Sequence, residues 1–195
     1  MNNKQFFVIA IGFLIAIKGR LSKQLQSDLE LNNVALNDQV LELKKEISGG
    51  QTLDLLDATD DRIDGINSFD KNRLKTGRAF VFDEIAIGYA TNANSGLAGS
   101  VDYVTDAPKE LKNAIFILEQ EGREVLRMPV KDLNNKDGFK ISDAYKELRT
   151  LHYLADDREV TAKIKFPPGV TLDAGVKHYV YLRINGVQTT KKSDA

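Results

Sequence analysis

Polar and apolar positions divide the chain into four stretches and a short tail. Residues 6–17 read FFVIAIGFLIAI and carry no polar side chain. Residues 21–48 contain neither proline nor glycine. Leu29, Leu36 and Leu43 recur there every seven residues, with Asn33, Val40 and Ile47 on the offset of four. That spacing predicts a long helix whose a/d seam, interrupted once at Asn33, packs on a second copy or another partner. Gly49-Gly50 is the expected helix stop. Residues 49–77 are polar and acidic, and predict a solvated linker with one short helix at 52–57.

From residue 78 the period changes. RAFVFDEIAIGY (78–89), SVDYVT (100–105), AIFILEQ (114–120), REVLRMPV (123–130), TLHYLA (150–155), EVTAKIKF (159–166), VKHYVYLRI (176–184) and VQTT (187–190) have the composition of strands. In the sixth, Val160, Ala162, Ile164 and Phe166 alternate with Thr161, Lys163 and Lys165, which gives one core face and one wet face. In the seventh, His178, Val180, Leu182 and Ile184 share a face opposite Tyr179, Tyr181 and Arg183. Glu121-Gly122 and Asn185-Gly186 are the expected hairpin turns. Short helices are expected in TDAPKELKNA, capped by Asp106, and from Ser142 in SDAYKELR.

The pattern lacks alternating helices at βαβ spacing, so a parallel sheet is not expected. The expected fold is all-β: a single jelly roll or related antiparallel β-sandwich of about eight strands, preceded by a long N-terminal helix. The domain reading is an apolar anchor at 1–20, a heptad helix at 21–48, an acidic linker at 49–77, the sandwich at 78–190 and a tail at 191–195.

Composition narrows the chemistry. There is no cysteine, which removes disulfides, thiolate metal sites and cysteine nucleophiles, and only His152 and His178 carry imidazole. The chain has no phosphate-binding glycine loop and no nucleophile elbow. Aligning Gly65 with a calcium loop puts Asp60 first, but Arg62 and Lys71 then occupy ligand positions, so the calcium reading fails. No cofactor or metal is expected. Net charge is −1, and Arg158, Lys163, Lys165, Lys191 and Lys192 read as solvated strand edges, so no nucleic-acid partner is expected. Tyr179 and Tyr181 on one strand face suggest a subunit interface or a sugar-stacking platform. No pair of carboxylates stands out as an acid/base couple.

Charge is unevenly spread. Residues 1–23 carry Lys4, Lys18, Arg20 and Lys23 with no acid, while residues 51–70 carry six aspartates against Arg62. Phe6, Phe7, Ile9, Ile11, Phe13, Leu14, Ile15 and Ile17, followed by Lys18 and Arg20, form an attachment segment for lipid or for another subunit. Twelve helical residues rise ~18 Å, short of a hydrocarbon core of ~30 Å. Basic residues after the run argue against signal cleavage. They also place the C-terminal head on the cytoplasmic side of any membrane. Gly12 and Ala16 offer one small-residue pair for close helix contact.

The segments GRAFVFDEIAIGYAT, LKNAIFILEQEGREVLRMPV and FPPGVTLDAGVKHYVYLRINGV resemble jelly-roll structural proteins of bacteriophage virions, over residues 77–190. The resemblance implies a capsid or vertex component, not an enzyme, which assembles with itself and with other capsid subunits. It would attach to a neighbouring subunit or an internal membrane through residues 6–17. It would be found in the virion, after assembly in the host cytoplasm or at the inner membrane. Two other classes remain open: a membrane-tethered fibre, trimerised by the heptads, whose head binds carbohydrate, and a hydrolase on a sandwich scaffold.

Overall fold

The structure, a computed structural model, describes residues 3–48, 50–134 and 144–192, with side chains from Gln5 onward. Two helices, α1 (Asn3–Ala16) and α2 (Lys23–Glu30), precede the strands β1 (Val34–Ile47), β2 (Thr52–Leu56) and β3 (Phe80–Asn92). A short helix α3 (Lys109–Lys112) leads to the hairpin of β4 (Ile115–Gln120) and β5 (Arg123–Pro129). The strands β6 (Lys146–Leu154), β7 (Val160–Lys165) and β8 (Lys177–Lys191) complete the chain.

These strands form two four-stranded sheets, ordered β1-β8-β3-β6 and β2-β7-β4-β5. Every pairing between these eight strands is antiparallel. The pairs are nested: first with last (β1 with β8), then β2 with β7, β3 with β6 and β4 with β5. The sheets pack face to face, as the alternation of apolar residues requires. Between them lie Phe80, Phe82, Ile85 and Ile87 of β3, Phe116 and Leu118 of β4, Ile164 of β7, and Val180, Leu182 and Ile184 of β8.

The expectation of an all-β sandwich holds, but two of its eight strands differ from those expected. Residues 34–47 are a strand, not the second half of a heptad helix. The helix ends at Glu30, and Asn32 takes a left-handed conformation (φ 52°) of the kind that ends helices. Asn33, expected to interrupt a seam, is where the chain turns into β1 after Asn32. Leu41, Leu43 and Ile47 then face the inter-sheet core, and Val34 and Leu36 face the opposite side of the sheet. Pairing with β8 along the whole of β1, from Val34 opposite Lys191 to Ile47 opposite His178, outweighs the helix-favouring composition.

The acidic stretch is likewise part of the sandwich. Thr52–Leu56 is the edge strand β2, not a helix, and Leu55, Leu56, Phe69 and Leu74 are buried in the main core. Two of its aspartates are tied down: Lys45 pairs with Asp57 at 3.3 Å and with Asp60 at 2.9 Å. Residues 100–105 form no strand beyond a single bridge of Val104 to Tyr89. The expected helix start at Ser142 lies outside the described residues, and Lys146–Leu154 is β6. Gly49, half of the expected helix stop, and residues 193–195 of the tail also lie outside them.

Asn185-Gly186 is not a turn, because β8 runs straight through it. Gly186 has no left-handed φ. It is required for a different reason. A Cβ there would lie 2.2 Å from the carbonyl oxygen of Val81 and 2.9 Å from Phe82 Cα. The register of β3 shifts between Phe82 and Glu84 against both neighbours, so Asp83 is the extra residue of a bulge facing Gly186. By contrast, Glu121-Gly122 is the expected hairpin turn, both residues having positive φ (49° and 73°).

Candidate functional site

The apolar run folds as α1 and lies on the outer face of the β1-β8-β3-β6 sheet. Ala10 and Leu14 are fully buried there, in a second cluster with Leu21, Leu25, Val34, Ala79, Val81, Tyr153 and Val187. Phe6, Phe13, Ile17, Leu29 and Leu36 pack around it, and Phe13 meets Tyr153 edge to face at 5.8 Å. Three polar links hold this strap. Ser22 caps α2, its hydroxyl accepting from Leu25 N–H at 3.2 Å. The buried Asp156 carboxylate accepts from the Ser22 hydroxyl (2.5 Å), the Ser22 N–H (3.0 Å) and the Gly77 N–H (2.7 Å). Lys18 Nζ pairs with Glu30 at 2.9 Å, joining the end of α1 to the end of α2.

The opposite side of α1 is apolar and uncovered. Val8 is 69% exposed, Ile15 55%, and Phe7 and Ile9 45% each. Gly12 sits on the same side with open space before it. Residues 8, 12 and 15 fall at i, i+4 and i+7, one helix face, while residues 10, 14 and 17 form the docked face. Apolar on every side, α1 buries only half of its circumference. No helix among the described residues is long and apolar enough to cross a membrane.

Beside the N-terminal half of α1 runs a groove of about 960 Å³, lined by Phe6, Phe7 and Val8 on one wall and by Asp38, Asp83, Glu84 and Glu147 on the sheet. Asn185 Nδ2 donates to Glu84 at 2.6 Å. Burial, reinforced by the charges of Glu84 and Glu147, pushes the Asp83 carboxyl above its usual range. At the other end of α1, Lys18 and Arg20 are exposed, and Arg20 donates to the Tyr153 hydroxyl at 3.3 Å. One end of the helix is therefore flanked by carboxylates and the other by cations.

The residues expected in the attachment segment divide accordingly. Phe7, Ile9 and Ile15 are presented to solvent, Ile11 is half-buried, and Leu14, with Phe6, Phe13 and Ile17, belongs to the docked side. The expected seam does not exist as one surface. Leu43 and Ile47 lie between the sheets, Leu29 and Leu36 pack under the strap, Val40 is exposed, and Asn33 accepts from Lys192 N–H at 3.1 Å.

Tyr179 and Tyr181 are not an open interface. Tyr179 is buried by its own chain and donates to the Asn94 carbonyl at 2.6 Å. Tyr181 donates to Glu42 at 2.6 Å, with Lys44 over its ring at 4.7 Å and Tyr103 at 5.2 Å. Burial drives the Tyr181 hydroxyl far above its ordinary range, helped by Glu42, and pushes Tyr103 up to about 12. Arg183 continues the row, stacked 5.0 Å from Tyr145 and 5.1 Å from Tyr181.

Neither histidine has the surroundings of a catalytic base or a metal ligand. His178 is buried, donating from Nε2 to the Asp173 carbonyl at 2.7 Å and facing the Tyr89 hydroxyl at Nδ1 at 2.5 Å. A carbonyl only accepts, so Nε2 carries a proton. His152 stacks on Phe82 at 5.6 Å. Among the described residues, no group of three or more histidine, cysteine, aspartate or glutamate side chains is arranged to hold a metal ion.

The groove carboxylates went unrecognised in the sequence. The only trace is DE within FVFDEIAIG, where two consecutive acids interrupt an apolar strand and mark the bulge. No protein-family profile matches this chain, and no curated protein matches it.

Proposed function

We propose that this chain is a non-enzymatic virion structural protein, a capsid or vertex component built on a single jelly roll. The observation that carries the reading is the nested strand pairing, rolled into sheets of order 1-8-3-6 and 2-7-4-5. A long antiparallel hairpin, β1–β4 against β5–β8, yields this order when it is wrapped into two sheets, and double-sheet jelly rolls recur in viral capsids. An apolar helix face held against the sandwich supplies an attachment surface of a kind that monomeric proteins keep small. The partners of the reading are other copies and neighbouring capsid subunits, with the uncovered side of α1 as one attachment surface.

The test is assembly of the purified full-length chain. Negative-stain microscopy and density-gradient sedimentation across a range of salt and protein concentrations should reveal rings, sheets or closed particles. A chain that forms no multimeric array under any of these conditions, alone or with anionic vesicles, refutes the reading.

A second reading, a hydrolase acting on glycosidic bonds, draws on the groove, where Asp83 is biased towards its protonated form beside Glu84 and Glu147. Release of reducing sugar from a panel of polysaccharides, lost in Asp83→Asn and in Glu147→Gln, would favour it. The fibre reading keeps its carbohydrate-binding head as a proposal but not its trimerising heptads, because half of the expected seam is the strand β1.

A further inference from the structure

We propose that α1 is the centre of a two-fold dimer interface, in which α1 of a second copy packs antiparallel across Val8, Gly12 and Ile15 and brings its Lys18 and Arg20 to the first copy's carboxylate groove. The inference rests on the reading of this protein as one that self-assembles, and it names the partner surface.

The first argument is the exposed face itself. Val8, Gly12 and Ile15 form one stripe, flanked by Phe7 and Ile9, on a helix whose other side is fixed to the sheet. The space in front of Gly12 lets a second helix approach closely at the middle of the stripe.

The second argument is charge, and it selects the occupant. The carboxylates Asp38, Asp83, Glu84 and Glu147 flank residues 6–8, at the start of the helix. Lys18 and Arg20 follow its end. An antiparallel pairing centred on Gly12 sets residues 16–18 of one copy opposite residues 6–8 of the other. Each copy's cations then meet its partner's groove, twice over by symmetry. This is the self-complementarity that a two-fold interface demands. Lys18 already pairs with Glu30, but that pair is exposed and leaves ammonium donors for a second acceptor. An anionic lipid surface would match the basic end of α1 and be repelled by the acidic one, so the pattern favours a second copy over a membrane.

The experiment uses the full-length protein in sedimentation-velocity runs up to ~100 μM, a range that detects a dimer of micromolar strength. The expected result is a reversible dimer that weakens with added salt. Val8→Asp with Ile15→Asp places charges at the centre of the stripe, on residues already exposed, and should abolish the dimer while leaving the thermal transition in place. Asp38→Lys with Glu147→Lys, or Lys18→Glu with Arg20→Glu, should each raise the Kd by about tenfold or more. The variant carrying all four reversals should dimerise more tightly than Lys18→Glu with Arg20→Glu alone, because the new carboxylates then meet a groove in which two new ammonium groups cancel Asp83 and Glu84. A monomer throughout the concentration range overturns the proposal. So does a dimer that ignores Val8→Asp with Ile15→Asp, or one that the four reversals leave no tighter than Lys18→Glu with Arg20→Glu. Flotation of a monomeric protein with phosphatidylglycerol vesicles, lost in Val8→Asp with Ile15→Asp, would assign the face to lipid and overturn it too. Failure to build larger particles tests the capsid reading separately, since the dimer is measured in dilute solution.

Discussion

Gly186→Ala is the sharpest test of the described packing, because sequence and structure give opposite reasons for the glycine. In a hairpin turn, Gly186 would supply a left-handed φ, and the substitution would strain a loop. In the structure, β8 passes straight through, and the new Cβ falls 2.2 Å from Val81 O and 2.9 Å from both Cα and Cβ of Phe82. Two of those atoms are backbone, so no rotamer change relieves the contact. β3 must retreat by ~1 Å to reach van der Waals separation. Moving the bulged part of β3 away from β8 weakens about two ladder hydrogen bonds, each worth ~1 kcal/mol. Overpacking adds about 1–3 kcal/mol, for a total of about 3–5 kcal/mol. A domain of this size loses ~2–4 °C per kcal/mol, so the transition should fall by about 6–20 °C. Urea and thermal unfolding followed by circular dichroism measure this directly. Gly12→Ala is the control: the same chemical change at an exposed helical site with open space before it should stabilise by up to ~1 kcal/mol when the chain is monomeric. A Gly186→Ala protein within ~0.5 kcal/mol of its parent, a loss typical of an unconstrained surface site, would refute the close approach of β8 to the bulge.

Three further outcomes follow from single side chains. Leu14→Ala, fully buried beneath the strap, should cost about 2–4 kcal/mol and expose the segment between α1 and α2 to limited proteolysis; an unchanged urea midpoint would mean that α1 is not docked. Asp83 has a folded pKa above its unfolded one, so its contribution to stability is complete below the unfolded value and is lost as pH rises through the folded value. Asp83→Asn should therefore stabilise the monomer at neutral pH, with the advantage vanishing in acid, as read from unfolding at several pH values. His152 has a folded pKa lowered chiefly by burial, so the unfolded chain takes up its proton first and stability should fall as pH drops through about 6.5. His152→Gln should flatten that part of the pH profile, and an unaltered slope would count against the burial.

Strands whose two faces differ in polarity were legible in the sequence. In β7 and in the first half of β8, alternation alone identified the inward residues, and Val160, Ile164, Val180 and Leu182 are where it placed them. β1 was misread because LNDQVLELKKEI satisfies two periods at once. Leu36, Val40, Leu43 and Ile47 fit a heptad, and Leu41 and Leu43 also alternate as on a strand. Only the long-range pairing with β8 decides between them, and that pairing is not written in the local sequence. The same limit hid the groove. Asp38, Asp83, Glu84 and Glu147 come from β1, β3 and β6, and only the sheet order brings them beside Phe6 and Phe7. Asn185-Gly186 failed for a related reason: a glycine required by a neighbouring strand looks, in one dimension, like a glycine required by a turn.

The way α1 is held bears on what its free side is for. A helix that crosses a bilayer gains from being loosely tethered, since it must leave the protein to reach the hydrocarbon core. Here the reverse holds. Leu14 and Ala10 are buried against the sheet, Asp156 accepts two hydrogen bonds from Ser22 at the turn into α2 and a third from Gly77 N–H, and Lys18 closes the strap onto Glu30. Detaching α1 would uncover Val81, Tyr153 and Val187 as well as the helix's own inner face. Such fixing lowers the entropy lost when a partner docks, because the face is already ordered before the encounter. It also sets the angle at which a second helix must cross. A rigid apolar stripe with opposite charges at its two ends specifies one geometry, whereas a bilayer asks for none. The energy spent on holding α1 in place is therefore better explained by a partner that reads orientation, and a second copy offering the same stripe in reverse is the partner that the two charged ends describe.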